Sequence, residues 1–175
     1  YVPTVRSHAF TFLFFALTVW CLPRHRWWIP LIMIIWVNVH GGFVVGLIAV
    51  AVLSWRQPAV LLVSLAATLV NPYGVEFWRY LVPALLHPRT QIAEWGGMPL
   101  TLTGPYAGFW ILLPVALGLA WRARRDREGL ILLALTALAA ALHRRHLPFF
   151  GLTAVMMLGP HVPRVRAEWA LAAHT

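Results

Sequence analysis

The chain has 175 residues, of which 61% are hydrophobic and 11% are charged, and its mean hydropathy is +0.74. This balance lies outside the usual range of soluble domains, so we interpret the chain as a membrane protein. All 14 basic residues are arginine and oppose only five acids, but they lie in short connectors rather than on one basic face, which argues against nucleic-acid binding.

Six apolar segments are separated by polar connectors. They cover residues 8–22, 29–53, 58–70, 106–121, 129–142 and 147–160. Because a spanning helix requires roughly 20 residues, about six spans fit this length. We therefore predict an all-α fold, a polytopic transmembrane helical bundle that forms a single domain over 1–175. The chain begins at Tyr1 without a signal-peptide pattern, so we expect a fragment of a longer protein.

The second segment is interrupted near its middle by Asn38, His40, Gly41 and Gly42. An amide and an imidazole at bilayer depth cost free energy unless they find partners, which marks this position as a candidate site. Two glycines let the backbone bend and another group approach closely. We predict a broken or re-entrant segment near 38–42. Asn38 and His40 then contact lipid phosphate or substrate, or else neighbouring helices simply satisfy the break.

Arginines in the connectors predict the orientation. The connector 122–128 carries four arginines, which is typical of a cytoplasmic loop. Three spans follow the connector 71–105, and the first of them, 106–121, places this connector on the side opposite 122–128, which is the outer side. If 29–53 crosses once, the arginines divide eight inside to six outside, whereas a segment that returns gives nine to five. The second division fits the cytoplasmic excess slightly better.

The long connector 71–105 opens with a structural break at Asn71, Pro72 and Gly74, where the asparagine caps the preceding segment and the glycine turns the chain. The aromatic-rich run 75–82 then predicts an amphipathic helix at the membrane interface. The alternative to a purely structural turn is that Asn71, Pro72 and Gly74 have a functional role.

Two further clusters carry charge. Glu94 lies beside Trp95 and two glycines, which predicts contact with a sugar or a role in holding the loop. Arg144 and Arg145 open the last segment between two histidines, and paired arginines suit an anionic headgroup or pyrophosphate. The sequence has no metalloprotease pattern, glycine-rich phosphate loop or nucleophile elbow, so we predict no metal site.

The order of these motifs resembles a known family. The series is Trp-x-Asn-x-His-Gly-Gly-Phe, Asn-Pro-Tyr-Gly, Glu-Trp and a basic pair opening a Pro-Phe-Phe span. From about Val5 to Pro160 it is similar to the bacterial C-type membrane glycosyltransferases, which use polyprenyl-phosphate sugars. The resemblance implies a multi-pass protein of the bacterial inner membrane, a lipid-linked sugar donor and chemistry on the outer side.

The family's catalytic acid, in the first outside loop, has no counterpart ahead of Asn38. Either the catalytic segment belongs to a missing N-terminal part, or the chain has the scaffold without the activity. If transfer does occur, Glu94 is the candidate base for the acceptor proton, and Arg144 and Arg145 stabilise the leaving phosphate.

The alternative function is that of a non-catalytic accessory or scaffold subunit in a larger photosynthetic, respiratory or transport complex. In that case His40 or His8 contacts a pigment or haem as a neutral imidazole. Membrane lipids and other membrane subunits are the partners expected. A transporter is the third interpretation, since a broken helix with polar groups at mid-depth is also a feature of transporters.

Overall fold

The computed structural model describes residues 7–87, 91–122 and 126–161. These residues form eight α-helices and no strand, which confirms the all-α prediction for them. The helices are α1 (His8–His25), α2 (Ile29–Val39), α3 (Phe43–Leu53), α4 (Pro58–Ala67), α5 (Val75–Leu86), α6 (Ala107–Arg122), α7 (Arg127–Leu142) and α8 (Leu147–Leu158). Residues 123–125 of the predicted cytoplasmic loop lie outside the described part of the chain.

The helices follow the apolar segments because their first turns carry suitable residues. Pro30, Pro58 and Pro148 lie at the starts of α2, α4 and α8. Proline is tolerated there because the backbone N–H that it lacks would have no acceptor within the helix. Asp126 caps α7 by accepting a hydrogen bond from the Gly129 N–H at 3.0 Å. Helix α5 occupies the stretch of the long connector where the sequence predicts one.

The described helices are too short or too polar for any of them to qualify as a bilayer-crossing segment. The longest is α1, with 18 residues, and it ends in a proline, an arginine and a histidine. The transmembrane arrangement therefore stays a prediction.

The segment 29–53 forms a helical hairpin. Helix α2 ends at Val39, His40 is extended with φ −162° and ψ 141°, and α3 begins at Phe43. Trp36 and Met33 of α2 then pack directly on Gly46 of α3, where a Cβ would overlap the indole ring. Because these residues could not meet along one straight helix, the chain must turn back at 40–42.

The connectors gather at two ends of the bundle. At one end, which we call the cavity end, are 40–42, 68–74, 91–106 and 143–146. Asn38 donates to the Val70 carbonyl there, and the Arg144 N–H donates to the Gly96 carbonyl. At the other, the arginine end, are 26–28, 54–57 and 126–127. The Trp55 Nε1–H donates to Glu128 at 2.8 Å at that end.

The core consists of two clusters of buried apolar side chains. The larger joins the first five helices, α1 to α5, to α7 and α8, and Phe15, Trp36 and Phe43 are fully buried in it. The smaller joins α6, α7 and α8 around Phe109 and Phe150, whose rings meet edge to face. Since α7 and α8 contribute to both clusters, they hold the α6 side of the bundle against the hairpin and fix the connector 143–146 beside it.

Candidate functional site

A cavity of about 410 Å³ lies at the cavity end of the bundle. Its polar lining comes from four separate parts of the chain: α1, the hairpin turn, the connector before α6 and the connector before α8. The polar and aromatic lining residues are His8, Thr11, His40, Trp95, His143, Arg145 and His146. We call this space the histidine cavity.

One side of the histidine cavity is apolar. Val44 and Val45 of α3, Leu81 and Leu85 of α5, and Phe149 of α8 line it. Leu85 is exposed while Leu81 is buried, so this wall runs from the interior of the bundle out to its surface. The cavity thus combines an imidazole-rich and cationic part with an apolar exit, as expected for a ligand with a polar group and a hydrocarbon part.

Arg145 supplies the positive charge of the cavity. Its guanidinium carbon lies 4.2 Å from the centre of the Trp95 ring, and its Nη2–H donates to His8 Nε2 at 3.3 Å. Among the described lining residues it is the one with a permanent charge, and none of them is a carboxylate. Because a guanidinium presents several N–H donors in one plane, this position suits a phosphate or carboxylate ligand.

His40 is held from two sides at the bottom of the hairpin turn. Its Nδ1 lies 2.8 Å from the Thr11 hydroxyl oxygen and 2.9 Å from the Gly42 backbone nitrogen. The buried Thr11 hydroxyl also accepts a hydrogen bond from the Trp36 indole at 3.2 Å. The His40 ring lies beside the His8 ring, with 4.6 Å between ring centres. The polar interruption of the sequence therefore becomes a wall of the cavity.

Two histidines approach the cavity from the connector before α8. His143 Nδ1–H donates to the Trp95 carbonyl oxygen at 2.6 Å, which ties this connector to the loop that carries Trp95. Burial, together with the positive charges of the neighbouring Arg145 and His143, lowers the pKa of His146 to about 4. At neutral pH His146 is therefore an uncharged lining group. The rings of His143 and His146 are neighbours, with 5.9 Å between their centres.

The other residues of the break and of the turn brace the backbone. The Asn38 Nδ2 group donates to the carbonyls of Ile34 and Val70, both at 2.8 Å, and so joins α2 to the connector that follows α4. Asn71 accepts from the Tyr73 N–H at 2.8 Å, and Gly74 has a φ of 52°, as the predicted turn with Pro72 requires. A ligand contact by Asn38 stays a prediction.

Arg144 and Glu94 lie near the cavity without being among its described lining residues. The Arg144 Nε–H donates to the Gly96 carbonyl at 3.4 Å, and its guanidinium lies over Tyr106. Arg144 thus holds the loop, while Arg145 reaches the cavity. Glu94 is exposed on a short 3-10 turn whose next residue, Trp95, is the one that lines the cavity.

Thr11 is the functional candidate that sequence reasoning missed. It is 1% exposed in α1 and lies three residues after His8, so the two side chains share a helix face. A hydroxyl on the same face as a histidine inside an apolar helix was the available signal. Its link to His40 could not be read from the sequence, because the two residues belong to different helices.

The described residues contain no group of three or more histidine, cysteine, aspartate or glutamate side chains placed to hold a metal ion. Comparisons of the chain with protein-family models, with curated proteins and with solved structures give no match. Any assignment of function must therefore rest on the cavity and its surroundings.

Proposed function

We propose that the chain is a membrane protein of the bacterial inner membrane, related to the glycosyltransferases that use polyprenyl-phosphate sugars, and that its histidine cavity binds the phosphate of such a lipid. The observation that carries this proposal is the pairing of Arg145 with an apolar wall that leads to the surface. A polyprenyl phosphate has the matching chemistry, since it joins an anionic group to a long hydrocarbon chain.

The outer surface of the bundle supports a lipid environment. Large apolar side chains are exposed on all eight described α-helices, among them Leu13, Leu31, Ile48, Leu62, Leu86, Leu117, Leu138 and Val155. Soluble proteins rarely expose apolar surface on this scale, whereas a bilayer solvates it. The described helices have 10 to 18 residues, so the proposal requires a locally thinned bilayer around them.

The arginines of the two ends support the proposed orientation. In the described ranges, five arginines belong to the arginine end, namely Arg24, Arg26, Arg56, Arg122 and Arg127, and three belong to the cavity end, namely Arg79, Arg144 and Arg145. The hairpin returns 29–53 to its starting side, which is the alternative that the sequence slightly favoured. An arginine end in the cytoplasm and a histidine cavity on the outer side agree with the cytoplasmic excess of arginine.

A non-catalytic binding or scaffold role is the second candidate. The observation that favours it is the lack of a carboxylate among the described lining residues, because the sequence reasoning required an acid to take the acceptor proton. Purification from the native membrane separates the two. Stoichiometric recovery with a larger complex supports a subunit, while sugar transfer that Glu94→Gln abolishes supports an enzyme.

Lipid binding tests the proposal directly. The chain in lipid nanodiscs is titrated with undecaprenyl phosphate and with undecaprenol, which lacks the charge. We expect binding of the phosphate alone, and Arg145→Gln should weaken it about tenfold or more, since hydrogen bonds to charged groups contribute about 1.5–3 kcal/mol. Arg79→Gln is the matched control, because Arg79 is exposed and pairs with Glu76 at 2.5 Å. Equal binding of the two lipids would overturn the proposal.

A further inference from the structure

The hydrogen bonds around His40 determine which of its nitrogens carries the proton. Three side chains take part, namely the Trp36 indole, the Thr11 hydroxyl and the His40 imidazole, together with the Gly42 backbone N–H. The indole N–H is a donor only, so the Thr11 oxygen accepts from it. A backbone N–H is likewise a donor only, so His40 Nδ1 accepts from Gly42.

These donors leave no room for a proton on Nδ1. The Thr11 oxygen lies 2.8 Å from Nδ1, and with Nδ1 already an acceptor the hydroxyl proton must point toward it. Nδ1 therefore accepts two hydrogen bonds, and the neutral ring carries its proton on Nε2. A doubly protonated imidazolium would bring an Nδ1 proton against two other donors, so the neutral ring is the favoured form.

We propose that Thr11 is a positioning residue, which holds His40 as the neutral Nε2–H tautomer so that His40 donates a hydrogen bond to the bound phosphate beside Arg145. This inference rests on the proposed function, since the phosphate is the acceptor. It gives the cavity an uncharged donor in addition to its cationic one. In this form His40 binds the anion as a hydrogen-bond donor and does not act as a proton acceptor.

Packing explains why this arrangement is rigid. Trp36 is fully buried and Thr11 is 1% exposed, so water does not compete for their hydrogen bonds. At Gly42, a Cβ would lie 2.6 Å from the Thr11 oxygen and 3.0 Å from His40 Nδ1. The second glycine of the His-Gly-Gly run is therefore required for the backbone N–H to approach the ring. The polar break in the second apolar segment thus holds the His40 imidazole in one orientation.

The same arrangement weighs against metal ligation by His40. A haem or pigment metal binds an unprotonated imidazole nitrogen. In His40 the unprotonated nitrogen is Nδ1, which Thr11 and Gly42 occupy, and Nε2 carries the proton. The pigment or haem contact that the sequence left open would require His40 to change tautomer and to lose both partners.

Nitrogen NMR of the protein in nanodiscs tests the tautomer without any ligand. Histidine is labelled with ¹⁵N, and the His40 signals are assigned by their loss in His40→Gln. We expect a protonated Nε2 and an unprotonated, hydrogen-bonded Nδ1. A proton on Nδ1 in the unaltered protein would overturn the proposal, and this measurement stands even if no Thr11 variant folds.

Substitution of Thr11 tests its positioning role. Thr11→Val removes the hydroxyl at nearly equal volume and leaves the Gly42 N–H as the remaining donor to Nδ1, so the share of the Nε2–H tautomer should fall. The affinity for undecaprenyl phosphate should fall about two- to tenfold, since a neutral hydrogen bond contributes about 0.5–1.5 kcal/mol. Thr11→Ser keeps the hydroxyl and should restore both. Thr101→Val is the control, because that exposed hydroxyl bonds to Thr103 in a loop.

The outcomes separate the inference from the proposed function. If Thr11→Val leaves the His40 spectrum and the lipid affinity unchanged, Thr11 has no positioning role. If the spectrum changes but the affinity does not, His40 does not contact the phosphate and the proposal is wrong. If the unaltered protein binds no phosphate lipid at all, the proposed function fails, and with it the role assigned to His40, whatever tautomer the ring has.

Discussion

The guanidinium of Arg145 stacks on the ring of Trp95 at 4.2 Å and joins the connector before α8 to the loop that precedes α6. The same guanidinium donates to His8 at the start of α1. A cation–π contact contributes about 0.5–2 kcal/mol, depending on how far it is shielded from water. The positive charge of the histidine cavity is therefore held in place by two neighbours before a ligand enters.

Replacing Trp95 should weaken anion binding through Arg145. In Trp95→Leu the cation–π contact is lost and the guanidinium gains freedom, so the dissociation constant for undecaprenyl phosphate should rise about two- to thirtyfold. Trp95→Phe should retain part of the affinity. Trp27→Leu provides the control, since Trp27 is exposed at the arginine end. An unchanged affinity of Trp95→Leu would show that the stacking does not matter for the site.

The two glycines of the hairpin turn should differ in their tolerance of a methyl group. In Gly42→Ala the new Cβ meets Thr11 and His40 at 2.5–3.0 Å, so the free energy of unfolding should fall by about 1–3 kcal/mol. In Gly41→Ala it meets the end of Leu81 at 3.7 Å, an ordinary contact, and the change should stay within about 0.5 kcal/mol. Thermal unfolding of both variants under one condition measures the difference, and equal losses would contradict this geometry.

The hairpin itself can be tested at Gly46. Gly46→Ala puts a methyl group against the fully buried Trp36 ring, and we expect a loss of about 1–3 kcal/mol in the free energy of unfolding. Gly118→Ala in α6 is the matched helix position, because apart from its chain neighbours and its own helix backbone no described atom lies within 4 Å of its Cβ. There the substitution should stabilise by about 0.5–1 kcal/mol. If Gly46→Ala also stabilises, α2 and α3 do not pack as described.

Stability should fall with acidification because of His146. Its folded pKa is about 4, below the ordinary value of about 6.5, so the unfolded chain binds more protons between these two values. The free energy of unfolding that this residue contributes is complete above about pH 6.5 and is lost as the pH falls toward 4. Comparison with His146→Gln isolates the effect from other groups. The variant should show a smaller slope over that window, and an identical slope would contradict the lowered pKa.

The helices were predictable because local signals agree with the final structure. Each apolar segment is helical: α2, α4 and α8 begin with a proline and α7 with a cap, and the glycines of 40–42 end α2 where the pattern predicted a break. Such signals act within one or two turns of chain. The hairpin could not be predicted from local signals alone, because the reversal of the chain depends on the contact between Trp36 and Gly46, which lie on two different helices.

The site was predictable only in part for the same reason. His40 and Arg145 stood out as polar residues in apolar surroundings, and both line the cavity. Thr11 and the stacking of Trp95 on Arg145 join segments far apart in the sequence, so no local pattern reveals them. The neighbouring pair Arg144 and Arg145 illustrates the limit, since one arginine holds a loop and the other lines the cavity.

Photo-crosslinking with a polyprenyl phosphate tests the central claim that the histidine cavity holds the lipid. A probe with a photoreactive group close to its phosphate is bound to the chain in nanodiscs, activated and mapped by mass spectrometry. We expect labels on Val44, Val45, Leu81, Leu85 or Phe149 that an excess of unlabelled undecaprenyl phosphate removes and that Arg145→Gln suppresses. Labels confined to the arginine end, around Arg24 and Trp27, or labels in the cavity that persist in Arg145→Gln, would contradict the account.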